Sequence, residues 1–250
     1  MNDADNMLYV LAARAASPGL IIGLVIAGAV ILVILVVIAL ERRRERLRTA
    51  ALTDVLGQIA AAGAKGSALE LSLVDSEGRC DRLQEFRVGG LGRNRKVWNV
   101  IRGEWSGREI LCCDYRYVLG HGKHQRSYTQ TLMIMKLRRS FPPFVMAPEG
   151  FFAKIAQAFG AIDIDFPTHP EFSKSYVLKG KDEDEVRAAF SFDLLEYFEG
   201  QRGLTLESHD DLLLFYRAKK RCKPDSLEVF FAEGFEVLDA LAGELPGQVS

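Results

Sequence analysis

The chain has 250 residues, of which 48% are hydrophobic and 26% are charged, and its formal net charge is -1. These values suit one membrane segment followed by one modest soluble domain. The four cysteines include no pair with C-x-x-C spacing, which excludes a zinc or redox site of that type. This cysteine usage favours buried, reduced thiols in a cytosolic domain.

The charge is unevenly distributed along the chain. Residues 79–139 contain 14 Lys/Arg and 5 Asp/Glu, whereas residues 140–250 contain 11 Lys/Arg and 20 Asp/Glu. The two halves either complement each other within one fold, or the basic half lies toward an anionic surface. We favour the first interpretation, because strands often carry Lys and Arg on their solvent faces.

The first predicted element is a transmembrane helix. The run from Gly19 to Leu40, GLIIGLVIAGAVILVILVVIAL, has 22 residues and no charge. At ~1.5 Å per residue a helix of this length spans ~33 Å, enough for a hydrocarbon core of ~30 Å. The run is too long for the apolar core of a cleaved signal peptide. We therefore predict a short extracytoplasmic tail over residues 1–18 and one crossing over residues 19–40.

The residues that flank this helix predict its orientation and its helix contacts. The basic residues that follow it directly are Arg42, Arg43, Arg44, Arg46 and Arg48. Only Arg14 precedes it, so the positive-inside rule places the C-terminal domain in the cytoplasm, at a bacterial inner membrane. Gly19, Gly23 and Ala27 form a ridge of small residues that lets two helices approach closely. A homodimer through the transmembrane helix is therefore an open alternative.

Beyond the arginines, apolar residues at helical spacing predict a juxtamembrane helix over residues 41–62. Residues 63–92 mix Gly, Ser and charge, and we predict a linker there. From residue 93 the pattern changes, and we predict a cytosolic domain over residues 93–246.

The domain begins with a predicted antiparallel meander. Its strands cover residues 96–105, 108–119 and 126–137, with a hairpin turn at Ser106-Gly107. The second and third strands are apolar at both alternating positions, so we expect both faces of the sheet to be covered.

Short strands and helices alternate after this meander. The helices are predicted over residues 148–160, 182–200 and 223–243, the second with an interruption at Ser191. The fold class is therefore α+β, a mainly antiparallel sheet with amphipathic helices packed on it.

The stretch AIDIDFPTHPEF, residues 161–172, is a candidate metal site. In a strand Asp163 and Asp165 share one face, ~6.5 to 7 Å apart, and could bind a hard cation if His169 and Glu171 reach it after the turn as further ligands. The phosphatase-type D-x-D-x-T motif is not matched, because Thr168 lies one position too late. Strand alternation and two prolines at the turn account for the same residues, and we favour a solvated face.

Three further candidates have weaker patterns. His121 and His124 lie in a predicted hairpin loop, without a third ligand fixed by the sequence. Cys112 and Cys113 lie in an apolar strand, where packing explains them better than nucleophilic chemistry. The glycine-rich basic loop GGLGRNRK, residues 89–96, has neither the G-K-[ST] ending nor the G-x-G-x-x-G spacing of phosphate-binding loops.

The run PEFSKSYVLKGKDEDEVRAAFSFDLLEYFEG, residues 170–200, resembles a pattern in bacterial membrane-tethered proteins of unknown function. The residues that carry this resemblance are Phe172, Lys174, Asp182, Arg187 and Phe192. It covers the C-terminal half of the chain and implies a bacterial membrane-anchored domain. The pattern is one of packing and brings no functional residues with it.

The leading hypothesis is a membrane-anchored cytosolic binding or scaffolding module, because no catalytic constellation is assembled by the sequence. One alternative is a metal-dependent hydrolase that uses Asp163, Asp165 and His169. Another is a sensor of anionic lipid that uses the basic segment 79–139. The expected partners are the lipid bilayer and a protein, and neither a cofactor nor a nucleic acid is expected.

Overall fold

The computed structural model describes residues 18–61, 72–74, 81–105, 107–138, 140–151 and 162–243. The chain divides into two compact units, residues 1–50 and residues 51–250, and each is described by itself.

The first helix, α1, covers Pro18–Ala61 and extends over both units. In the first unit its charge-free part has no buried side chain, and it is long and apolar enough to cross a membrane. In the second unit Leu52, Leu56 and Ile59 are buried, at the spacing of one helix face.

The second unit is built on one sheet of nine strands among the described residues. The strands are β1 Ser72–Val74, β2 Arg93–Trp105, β3 Arg108–Leu119, β4 Arg126–Lys136, β5 Phe144–Pro148, β6 Ile162–Asp163, β7 Tyr176–Gly180, β8 Thr205–His209 and β9 Leu212–Tyr216. Their spatial order is β1-β2-β3-β4-β9-β8-β5-β7-β6, and every neighbouring pair is antiparallel. The predicted β2-β3-β4 meander and the α+β class are confirmed.

Further helices accompany the sheet, and five of them lie wholly within the described residues. They are α2 Arg87–Gly90, α3 Pro170–Ser175, α4 Glu183–Ala189, α5 Phe192–Gly200 and α6 Leu227–Ala242. Ser191 separates α4 from α5, because its hydroxyl accepts a hydrogen bond from the Leu194 amide and caps α5. Helix α6 is capped by the next residue, Gly243, which has the left-handed conformation that a glycine adopts at low cost.

Both faces of the sheet are covered, as the apolar pattern of β3 and β4 predicts. Cys112 packs in the cluster that includes α4, α5 and α6, whereas Cys113 packs in a second cluster on the opposite face. The second cluster includes Leu83, Phe86 and Val88, which belong to the segment before β2. The sheet therefore has two hydrophobic cores, and adjacent residues of a strand contribute to different ones.

Two predicted elements differ from the structure. Residues 81–92, part of the predicted linker, form a 3-10 turn and α2, and three of their apolar side chains are buried against the sheet. The strand predicted over AIDIDF is shorter in the described residues, where β6 covers Ile162–Asp163 and the Ile164 amide makes one further hydrogen bond, to the Leu178 carbonyl of β7. The helix predicted over residues 148–160 lies outside the described residues beyond Phe151.

Candidate functional site

A cleft of about 420 Å³ opens in the second unit, between the segment before β2 and the adjacent ends of β5 and β8. Residues 84–87 and 90–92 line one side, and residues 143–145 and 207–209 line the other. Its wall is partly apolar, with Phe86, Phe144 and Val145 buried. A cleft of this volume is within the range of protein binding sites.

Glu207 is the buried charged residue of this cleft, with 1% of its surface exposed. The amide of Arg87 donates to Oε2 at 2.5 Å, and the Val88 amide lies 3.3 Å from Oε1. The Tyr216 hydroxyl donates to Oε1 at 3.0 Å. The carboxyl group therefore joins the segment before β2 to strands β8 and β9, because donors from both reach it.

Burial raises the pKa of Glu207 from 4.5 to about 7, because a charged carboxylate loses its hydration inside the protein. The hydrogen bonds from Tyr216, Arg87 and Val88 oppose this change, since they stabilise the charged form. Burial also raises the pKa of Tyr216 well above 10, and the adjacent carboxylate adds to that rise. Near neutral pH Glu207 consequently exchanges between its acid and its carboxylate forms.

Sequence reasoning missed Glu207, although its strand contains a signal. In the hairpin TLESHDDLLLFY Glu207 lies opposite Leu214 of β9, a strand whose five residues are all apolar or aromatic and all buried. A polar residue at this register faces the same core as Leu214 and Tyr216. The strand pattern thus placed it inside, but only the structure identifies its hydrogen-bond donors.

Ser208 fixes the other side of the cleft. Its hydroxyl accepts a hydrogen bond from the Phe144 amide at 2.9 Å and donates to the Pro142 carbonyl at 2.7 Å. The side chain thus continues the β5–β8 contact beyond the paired residues Val145 and Glu207. This arrangement holds the end of β5 against β8, so the cleft has two fixed walls.

Three more buried polar groups lie on the same face of the sheet as Glu207. They are the Tyr117 hydroxyl, the Gln130 amide nitrogen and the Thr205 hydroxyl, and the described residues offer none of them a hydrogen-bond partner. Buried polar atoms of this kind commonly bind ordered water. The core on this face of the sheet is therefore more polar than its aromatic composition indicates.

The predicted metal residues do not converge. Asp163 and Asp165 are exposed, and the Asp163 carboxylate lies 4.0 Å from Lys179. His169 is buried, its Nδ1 lies 3.0 Å from the Thr168 hydroxyl, and its ring packs edge-on against Phe192. Across the described part of the chain, no group of three or more His, Cys, Asp or Glu could hold a metal ion.

The remaining sequence candidates have structural contacts. His121 and His124 are exposed at the β3–β4 turn, and Cys112 and Cys113 are each 1% exposed. In the glycine-rich loop Arg95 donates to the carbonyls of Gly90 and Gly92. The loop is thus closed by its own arginine.

The residues that carry the family resemblance are mainly packing and capping groups. Phe172 is fully buried among other aromatic rings, and Asp182 caps α4 by accepting from the Glu185 amide. Arg187 donates to the Asp165 carbonyl and lies over the Phe166 ring.

The described residues therefore define a class: an antiparallel α+β domain that follows a helix able to cross a membrane. No protein-family model matches the chain, and no curated protein matches it. The crystal structure of the mycobacterial trehalose monomycolate transport factor A, TtfA, has a similar fold, with a TM-score of 0.52 at 10% identity. The match covers 80% of this chain and 96% of that chain.

Proposed function

We propose that this protein is a single-pass protein of a bacterial inner membrane whose cytosolic domain is an accessory binding module. The Glu207 cleft is its binding site for a protein partner. The observation that carries the proposal is the cleft itself, a 420 Å³ opening with a nearly fully buried carboxyl group in its wall.

The lining of the cleft suits a protein partner. Glu85 and Arg87 are exposed at its edge, and apolar side chains of Phe86, Phe144 and Val145 lie behind them. A polar rim around an apolar centre is the usual organisation of a protein interface. The raised pKa of Glu207 further supports a functional site, since perturbed carboxyl groups in clefts are enriched there.

The apolar helix and the structural neighbour support the proposal that the protein is associated with a membrane. Five arginines directly after residue 40 favour a cytoplasmic location for the domain. The structural neighbour is named a transport factor, which supports an accessory role in a transport process at the membrane. The small residues Gly19, Gly23 and Ala27 supply a contact ridge for a second copy, as an additional part of the proposal.

Site-specific photocrosslinking in intact cells tests the proposal. A photoreactive residue is placed at Glu85, on the edge of the cleft, in the full chain. We expect one discrete adduct with a membrane protein. The matched control is the same residue at Lys181, which is exposed and outside the cleft. The proposal fails if Glu85 gives no adduct, or if both positions give the same adducts.

A further inference from the structure

The two ends of the β2-β3-β4 meander differ in charge. At the end that holds Trp105 and Lys136, cations are paired with acidic residues from the second half of the chain. Arg108 contacts Asp239, and Lys136 lies 3.4 Å from Asp211. Charge complementarity between the two halves is therefore realised at this end.

The opposite end is strongly basic. Residues 91–98, 114–131 and 217–223 contain eleven Lys/Arg and a single acidic residue, Asp114. Asp114 is 2% exposed and accepts a hydrogen bond from Arg221 at 2.8 Å, so its charge is compensated inside the protein. The exposed cations of this basic end are Arg95, Lys96, Arg116, Lys123, Arg126, Lys219, Lys220 and Lys223.

The fold brings these three segments together. Lys96 lies directly opposite Arg116 in the β2–β3 pair, and Arg126 lies opposite Leu119 beside the β3–β4 turn. The loop after β9 joins them, because the Thr131 amide donates to the Lys220 carbonyl and the Cys222 amide donates to the Thr131 hydroxyl. The three basic segments are therefore neighbours at one end of the sheet.

We infer that the basic end is a docking surface for the anionic headgroups of a lipid bilayer. The occupant follows from charge complementarity and from the chain itself, whose apolar helix is long enough to anchor the domain to a membrane. This inference rests on the proposed anchoring, and the cytoplasmic leaflet is the one that carries anionic lipid.

The chain contains a reporter at this surface. The Arg221 guanidinium carbon lies over the Trp98 ring, 5.1 Å from the ring centroid. The other tryptophan of the chain is Trp105. In a Trp105→Phe background, energy transfer from Trp98 to a dansyl-labelled headgroup lipid measures the distance between the basic end and the bilayer. The full chain is reconstituted into vesicles of phosphatidylcholine, with or without phosphatidylglycerol.

We expect transfer to rise when phosphatidylglycerol is included and to fall again as salt is added, because salt screens exposed charges. The triple variant Arg116→Glu, Lys123→Glu, Arg126→Glu should lower the ratio of docked to undocked domain at least about a hundredfold, at roughly fivefold per basic residue. The control triple Lys174→Glu, Lys181→Glu, Arg202→Glu changes the net charge equally and should retain transfer.

Equal transfer in both lipid mixtures would overturn the inference, as would an equal loss in the two triple variants. Binding of a nucleic acid to the basic end, without any dependence on lipid composition, would also overturn it. Alkaline extraction of the same vesicles tests the anchoring separately. A chain that remains in the vesicles without lipid-dependent transfer contradicts only the docking surface, whereas an extractable chain contradicts the proposed function as well.

Discussion

The Tyr216 hydroxyl donates a hydrogen bond to the carboxyl group of Glu207 at 3.0 Å, and both side chains are buried. The same carboxyl group accepts hydrogen bonds from the backbone amides of Arg87 and Val88, the first two residues of the short helix α2. One side chain thus connects the segment that enters the domain with the centre of its sheet.

The first prediction concerns the pH dependence of stability. The pKa of Glu207 is about 7 in the folded chain and near 4.5 when unfolded, so the folded state binds more protons between these values. The free energy of unfolding should therefore fall as pH rises from about 4.5 to 7, by roughly 3 kcal/mol. Denaturant titrations across pH 4 to 8, compared between the wild type and Glu207→Gln, measure this contribution.

Glu207→Gln keeps an acceptor for the Arg87 and Val88 amides but cannot ionise. Its stability relative to the wild type should therefore increase with pH through this window. If the free energies of unfolding of the wild type and the variant change in parallel from pH 4 to 8, Glu207 has an ordinary pKa.

The second prediction concerns Asp114, which is buried and accepts from Arg221, Asn99 and Thr131. Asp114→Ala takes this acceptor from the buried Asn99 amide and the buried Thr131 hydroxyl, at about 1–3 kcal/mol each, so it should cost about 3–5 kcal/mol. A double-mutant cycle with Arg221→Met should show a coupling of at least about 1 kcal/mol. Additive effects would indicate that Asp114 and Arg221 act independently. Glu171→Gln, at the exposed Lys174 pair, should leave the unfolding midpoint unchanged.

The third prediction concerns a close backbone approach in the segment before β2. A Cβ atom on Gly89 would overlap the Leu83 carbonyl oxygen, a backbone atom that cannot rotate away. Gly89→Ala should therefore destabilise the domain by about 1–3 kcal/mol. Gly90→Ala is the matched control, since a Cβ there meets no atom within 4 Å. Thermal unfolding of both variants checks this, and equal midpoints would mean that the segment is not held against its own turn.

The fourth prediction concerns Asp163 and Asp165. Both carboxylates are exposed, and the contact of Asp165 with Arg187 uses its backbone carbonyl. The double variant Asp163→Asn, Asp165→Asn should therefore have the thermal stability of the wild type, with or without Mg²⁺ or Mn²⁺. A metal-dependent rise in the melting temperature that only the wild type shows would restore the metal-site hypothesis.

The β2-β3-β4 meander and the break at Ser191 were predictable, because they depend on local alternation, turn residues and caps. The order of the other strands was not, since β4 pairs with β9 across some eighty residues of sequence. Neither was the site: Glu207 becomes a site only when the amides of residues 87 and 88 reach it. Residues 81–92 are rich in glycine and charge, a composition that predicts a linker. Three apolar residues in this segment were too few to predict from the sequence that it packs against the sheet.

Membrane anchorage with the domain in the cytoplasm is the central claim, and protease protection of a C-terminal epitope tests it most directly. In intact spheroplasts we expect the epitope to survive added protease and to remain with the membrane after alkaline extraction. In inverted membrane vesicles it should be degraded. Degradation in intact spheroplasts would contradict the orientation, and release of the chain by alkaline extraction would contradict the anchor.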